Sequence, residues 1–196
     1  MKIESGTGNG KYAGVNSGNR LEVSSVNVPL QHEASKVRNK AFQVWGEATL
    51  AAGTVTPLHI TNSSNTDTCT VTYIRLQCID PAGGTALPSA VNYYQIGTGQ
   101  TRASGGTAKT PINMAVGSTV QSGVTAYAAN PTMASTLNVF DKEYVKAEAE
   151  MSRYAKEGAL VLLPGEAMTI QMVGNHTSGT VYARVSFFMS PKDTLE

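Results

Sequence analysis

The segment GTGNGKYAGVNSGNRLEVSSV, residues 6 to 26, has glycines at a spacing that can cradle a phosphate: Gly8, Gly10 and Ala13 fit G-x-G-x-x-A, and Lys11 adds a charge. Such a loop needs a strand before it and a helix whose N-terminus faces the anion. Only Met1 to Ser5 precede the turn, Lys11 is followed by Tyr12 rather than Ser or Thr, and Gly14, Asn16, Gly18 and Asn19 oppose a following helix. Nucleotide chemistry is therefore not expected. The stretch reads as turn punctuation leading into Arg20-Leu21-Glu22-Val23 and Val26-Asn27-Val28, which alternate as strands do.

Other chemistry finds little support. His32, His59 and His176 are isolated, so no H-x-H or H-x-x-x-H pair offers metal ligands. His59 follows Leu58 in an expected strand, opposite its apolar face, and reads as half-exposed; His176 sits in the loop NHTSG. A cupin-like metal site would need several histidines and a carboxylate converging inside the barrel, and a serine hydrolase of the common type would need a G-x-S-x-G elbow; neither pattern occurs. Glu143, Glu148, Glu150 and Glu157 alternate with Lys142, Lys146, Arg153 and Lys156, which describes a solvated face more simply than an acid/base pair. Tyr93, Tyr94, Tyr127 and Trp45 are candidates for a sugar-stacking platform, but their dispersal favours core or interface packing. The chain is read as no enzyme, with no cofactor and no metal.

The two cysteines lie in CTVTYIRLQC. In one uninterrupted strand, at about 3.3 Å per residue, their thiols would sit roughly 30 Å apart on opposite faces, unable to pair. That parity puts Cys78 with Thr70, Thr72, Ile74 and Leu76 on a core face, and Cys69 with Val71, Tyr73, Arg75 and Gln77 on the other. Unpaired thiols accord with synthesis in a cytosol.

These residues must be positioned by a β-rich body. A chain of 196 residues suits one domain with an appended arm, and fifteen basic against fourteen acidic residues give a net charge of +1, too little to attract nucleic acid or anionic lipid broadly. No apolar run approaches the roughly 20 residues that cross a bilayer, and MKIESGTGNG lacks a signal-peptide core, so no membrane partner is expected. Residues 1–40 read as an extended N-terminal arm and linker, ending in PLQHEASKVRNK, where Lys36, Arg38 and Lys40 alternate along a solvated edge.

From Ala41, residues 41–196 show short strands broken by Gly, Pro, Asn and Ser clusters: AFQVWGEATL, VTPLHITNS after an Ala52-Gly53 turn, TCTVTYIRLQCI, VNYYQIG, PINMAV, STLNVF, ALVLL, AMTIQMVG and TVYARVSFFM. In the last, Val181, Ala183, Val185, Phe187 and Met189 share one side, and the side with Tyr182, Arg184, Ser186 and Phe188 is mixed. GTGQTRASGGT and AVGSTVQSG read as surface loops. Residues 141–158 are rich in helix formers: Tyr144, Ala147, Met151 and Tyr154 fit a helical stripe, while Val145, Ala147, Ala149 and Met151 fit a strand. The expected fold is all-β, an antiparallel jelly-roll-like sandwich, with a short helix near 141–157 narrowly favoured.

The opening stretch then gains a second meaning. SGTGNGKYAGVNSGNRLEVSSV resembles the N-terminal segment of a family of tailed-bacteriophage virion proteins, in which a glycine-rich start leads into V-[DN]-S-x-N-R-L-x-V; Val15, Asn16, Ser17, Asn19, Arg20, Leu21 and Val23 fill that pattern. LLPGEAMTIQMVGNHTSGTVYARVSFFM is similar to the closing strands of jelly-roll decoration (cement) and fibre-associated proteins of such phages. The resemblance does not extend to residues 41–160, where only the style is shared. It implies a capsid decoration protein on the virion surface, made in the host cytoplasm, that binds the major capsid protein through Val15, Asn16, Asn19, Arg20, Leu21 and Val23, stabilises the head, and assembles as a homo-oligomer, a trimer, without direct nucleic-acid contact. The alternative it carries is a head-fibre or tail-associated module that recognises host glycans through loops 97–107 and 174–180.

Overall fold

A computed structural model describes residues 3–4, 12–15, 21–22, 39–79, 93–144, 151–175 and 179–192. Met1–Leu30 and Gln31–Glu196 are two separate compact units. The first contains β1 (Ile3–Glu4), β2 (Tyr12–Val15) and β3 (Leu21–Glu22), an antiparallel three-stranded sheet in which Val15 is the register partner of Leu21.

The second unit is a sandwich. Its strands are β4 (Ala41–Thr49), β5 (Ala52–Asn62), β6 (Asp67–Ile79), β7 (Tyr93–Thr98), β8 (Thr101–Ser104), β9 (Thr107–Lys109), β10 (Ile112–Asn113), β11 (Val124–Ala128), β12 (Thr132–Ala134), β13 (Asn138–Tyr144), β14 (Met151–Leu162), β15 (Ala167–Asn175) and β16 (Thr180–Pro191). One sheet has the order β10-β4-β16-β6-β14, the other β13-β7-β15-β5-β11-β9, and β12-β8 form a ribbon. Setting aside β8–β12, which are inserted between β7 and β13, the remaining strands run first-eighth-third-sixth in one sheet and second-seventh-fourth-fifth in the other. That is the double Greek key of a jelly roll.

The core lies between the sheets. Phe42, Val44, Ile74, Leu76, Val185 and Phe187 from one meet Leu58, Ile60, Tyr94, Ile96, Met168 and Ile170 from the other, and Phe42 stacks on Phe187 at 5.7 Å. The alternation expected for β16 holds, with Val181, Ala183, Val185, Phe187 and Met189 all buried. Phe188, on the mixed side, is buried beside Ala41.

Two bulges shape the sheets, and two expectations are corrected. In β6 the register partner steps from Tyr73 to Val71 as β16 steps from Ser186 to Phe187, so Thr72 is an extra residue and the parity of β6 reverses there. Cys69 and Val71 therefore point inward together with Ile74, Leu76 and Cys78, and both cysteines are core residues rather than lying on opposite faces. In β5 the partners of Ile170 and Met172 are Leu58 and Val55, which leaves Thr56 and Pro57 in a bulge. A proline without an N–H is accommodated in a central strand at such a place. Loop residue Asn130 serves the bulge: Thr56 N donates to Asn130 Oδ1 at 3.0 Å, and Asn130 N donates to Thr56 O at 3.0 Å. Ala52 and Gly53 belong to β5, paired with Asn175 and Gly174, so the turn expected there falls at Leu50–Ala51.

The 141–157 segment is strand, not helix, wherever it is described. Asp141–Tyr144 complete β13 and Met151 begins β14, which pairs with β6 over Met151–Ala155 and Leu160–Leu162. The cross-strand ladder outweighs helix propensities of a few tenths of a kcal/mol per residue. GTGQTRASGGT is not an unstructured loop either, because Thr101–Ser104 pairs with Thr132–Ala134. AVGSTVQSG is irregular, as expected.

Candidate functional site

Two polar places stand out on the sandwich, one on the outer face of each sheet. The first is built by the β8–β12 insert folding over the six-stranded sheet. On that sheet Tyr127, His59 and Thr169 are register neighbours across β11, β5 and β15, and Gln171 pairs with Gln95 across β15 and β7. Arg102 of β8 lies over the Tyr127 ring, 3.8 Å from its centroid. Gln95 donates to Gln171 at 2.6 Å, Gln171 to Gln100 at 3.3 Å, and Gln100 to the Ser135 carbonyl at 3.4 Å. These amides line a groove of about 550 Å³ together with Thr54, Asn130, Thr132 and Thr136. Its size falls in the ligand-pocket range of roughly 300–1,000 Å³, and its lining is uncharged.

The insert also explains a correction. His59 is buried at 1% exposure, not half-exposed, because the outer face of its sheet is covered. Its Nδ1 lies 2.9 Å from Thr169 Oγ1 and its Nε2 3.1 Å from Thr61 Oγ1. Burial, with a smaller contribution from the Arg102 charge, lowers its pKa from 6.5 to about 4. With both nitrogens engaged and the ring neutral at pH 7, His59 acts as a crosslink between hydroxyls. His32 and His176 lie outside the described residues, and among those described no group of three His, Cys, Asp or Glu residues is arranged to hold a metal ion. Burial pushes the Cys69 thiol well above its ordinary pKa, so it is no ready nucleophile.

The second place is the outer face of the five-stranded sheet. Trp45 of β4, Arg184 of β16 and Arg75 of β6 are consecutive register partners, and the β14 position opposite Arg75 is Arg153. The adjacent row holds Glu47, Tyr182 and Gln77. Trp45, Arg75, Gln77, Tyr182 and Arg184 line a depression of about 190 Å³. Trp45 is 42% exposed, and the Lys109 ammonium sits 4.6 Å from its ring centroid.

The aromatics thus divide. Tyr94 is a core residue, Tyr93 packs on Tyr144 beneath Lys142, Tyr127 is capped by Arg102, and Trp45 remains at the surface. Lys40, read as part of a basic edge, instead pairs with Asp67 at 2.6 Å; Lys36 and Arg38 lie outside the described residues. Of the arm residues implied by the resemblance, Val15 and Leu21 are register partners on neighbouring strands, whereas Asn16, Asn19, Arg20 and Val23 lie outside the described residues. Loop 174–180 is described only in part.

Sequence reasoning missed the arginine row because its members come from strands far apart in the chain, and only sheet order brings them together. The amide relay was missed for the same reason. The one usable signal was the mixed outer side of β16 at Arg184. Compared with family models, curated proteins and solved structures, the chain has no match in any of the three.

Proposed function

We propose that this chain is a bacteriophage virion structural protein, a capsid decoration protein whose N-terminal unit docks on the major capsid protein shell and whose jelly-roll body stabilises the head as a homo-oligomer. The observation that carries the reading is the separation of Met1–Leu30, with a small sheet of its own, from a body that closes its core between two sheets. Strands of two to four residues are short for a sheet that stands alone, and a partner's surface would supply the support. Many copies on one shell make individually weak contacts collectively strong. The phage assignment itself rests on the sequence resemblance of residues 5–26 and 162–189.

The test removes residues 2–30 and retains Lys40, whose carbonyl and ammonium both bind the body. Full-length protein should cosediment with undecorated heads of the phage that encodes it. The truncated chain should keep its β-type circular dichroism and cooperative melting but stay in the supernatant. Equal cosedimentation of the two would refute the docking role.

A second reading, a module that recognises host glycans, is favoured by the polar groove and the Trp45 depression. It moves the contact surface from the loops to the sheet faces.

A further inference from the structure

The Trp45–Arg184–Arg75 row is an unusual thing to build on a sheet. Like charges directly opposite each other on neighbouring strands destabilise the pair. Alternating Glu or Thr at either position would remove that cost, yet Arg184 and Arg75 are opposed, and β14 places Arg153 at the next position. Among the described residues neither Arg184 nor Arg75 makes a side-chain ion pair or hydrogen bond. Glu47, one register step away, forms no ion pair with either. Lys109 adds a further cation, its ammonium over the Trp45 ring. The chain as a whole carries a net charge of only +1, so this concentration of positive charge is local.

We propose that this face binds an anionic saccharide, a pyranose bearing a carboxylate or a sulfate, with the Arg184 and Arg75 guanidiniums on the anionic group and the Trp45 indole against the sugar ring. The proposal rests on the glycan reading above and names its ligand class and its site. Guanidinium groups present a planar fork that matches oxyanions in bidentate fashion, and Arg184 and Arg75 spring from register-paired positions on neighbouring strands, whose backbones lie about 5 Å apart, so both can reach one such group. The negative face of the indole attracts the polarised C–H bonds of a sugar ring. A depression of about 190 Å³ holds one ring, not an extended polymer section. Duplex DNA is a poorer match: its binders neutralise roughly 6–10 phosphates along a groove, whereas this row spans three to four strands, or about 10–15 Å.

The site makes a double prediction that a structural role does not. Without ligand, Arg184→Gln and Arg75→Gln relieve repulsion, so their melting temperatures should equal or exceed that of the unaltered chain. With ligand, each should lose affinity tenfold or more, and Trp45→Ala likewise. The assay is titration calorimetry of the full-length protein with four probes: an oligogalacturonate (carboxylate alone), a sulfated galactan oligosaccharide (sulfate alone), a neutral galactan oligosaccharide and a 20-base-pair DNA duplex. Binding of either acidic saccharide, lost in the arginine variants and weak for the neutral one, is the expected result, and the probe that binds identifies the anionic group.

The proposal is overturned if neither acidic probe binds, if the Arg75→Gln/Arg184→Gln double variant binds as well as the parent, or if the duplex binds more tightly with the same arginine dependence. Binding of the neutral probe alone, abolished by Gln171→Leu, would overturn it too, while upholding the glycan reading through the amide groove.

Discussion

His59 shows how one buried side chain couples fold stability to pH. The ring is 1% exposed, bridges Thr61 and Thr169, and has a pKa lowered from 6.5 to about 4 by burial and then by the Arg102 charge. Below pH 6.5 the unfolded chain takes up a proton that the folded chain refuses until about pH 4. The unfolded state therefore binds more protons across that window, and stability rises with pH through it. The contribution is complete above pH 6.5 and lost as pH falls towards 4, up to about 3 kcal/mol at roughly 1.4 kcal/mol per unit. His59→Gln keeps the polar contacts without the titration. Urea unfolding at pH 7.5 and pH 4 should show the parent losing about 2–3 kcal/mol more than this variant, and parallel losses would assign the acid sensitivity to other groups.

Between elements, the corner where β5 meets β6 is held by one amide. Asn62 is fully buried, and its Nδ2 donates to the carbonyls of Asp67 and Leu162, each at 2.9 Å, while its Oδ1 accepts from Ser64 N at 3.1 Å. Its backbone N donates to Glu166 O, and its carbonyl accepts from Gly165 N. One residue thus ties the β5–β6 turn to the Pro164-Gly165 turn of the other sheet crossing. Asn62→Ala strands buried carbonyls and should cost about 2–4 kcal/mol in chemical denaturation; a loss below about 1 kcal/mol would mean that water replaces the amide. The turns themselves were readable in the sequence, as were most strands, since Gly, Pro and Asn clusters punctuate alternating runs. What was not readable came from bulges and coverage. Thr72 reverses face parity without any compositional mark, so Cys69 was assigned to the wrong side, whereas Pro57 marks the bulge of β5. His59 was read as half-exposed because nothing local announces that residues 99–137 fold over its sheet. The arginine row needed the pairing of β6 with β16 and β14, which joins positions about a hundred residues apart.

For the whole molecule, the sheet edges decide where another copy can attach. The β9–β11 strands extend the six-stranded sheet past β5 and β10 covers β4, so the insert closes one side of the sandwich. On the other side, β13 ends its sheet as a seven-residue strand with Val139 (45%), Phe140 (46%) and Tyr144 (59%) exposed. Edge strands with exposed apolar side chains are templates for association unless charge or irregularity blunts them. Here a bulge between Val139 and Asp141, with Asp141, Lys142 and Glu143 in succession, limits open-ended strand addition, while the mixed charges suit a closed, self-complementary contact. We propose the β13 edge as the contact of the homo-oligomer in the proposed function. Sedimentation of the full-length protein at micromolar concentration should give an oligomer, a trimer under the proposed reading, and Phe140→Glu with Tyr144→Glu should yield monomers whose melting temperature stays within a few degrees of the parent. An oligomer unchanged by those two substitutions would move the interface off β13, and a parent that sediments as a monomer would refute the homo-oligomer.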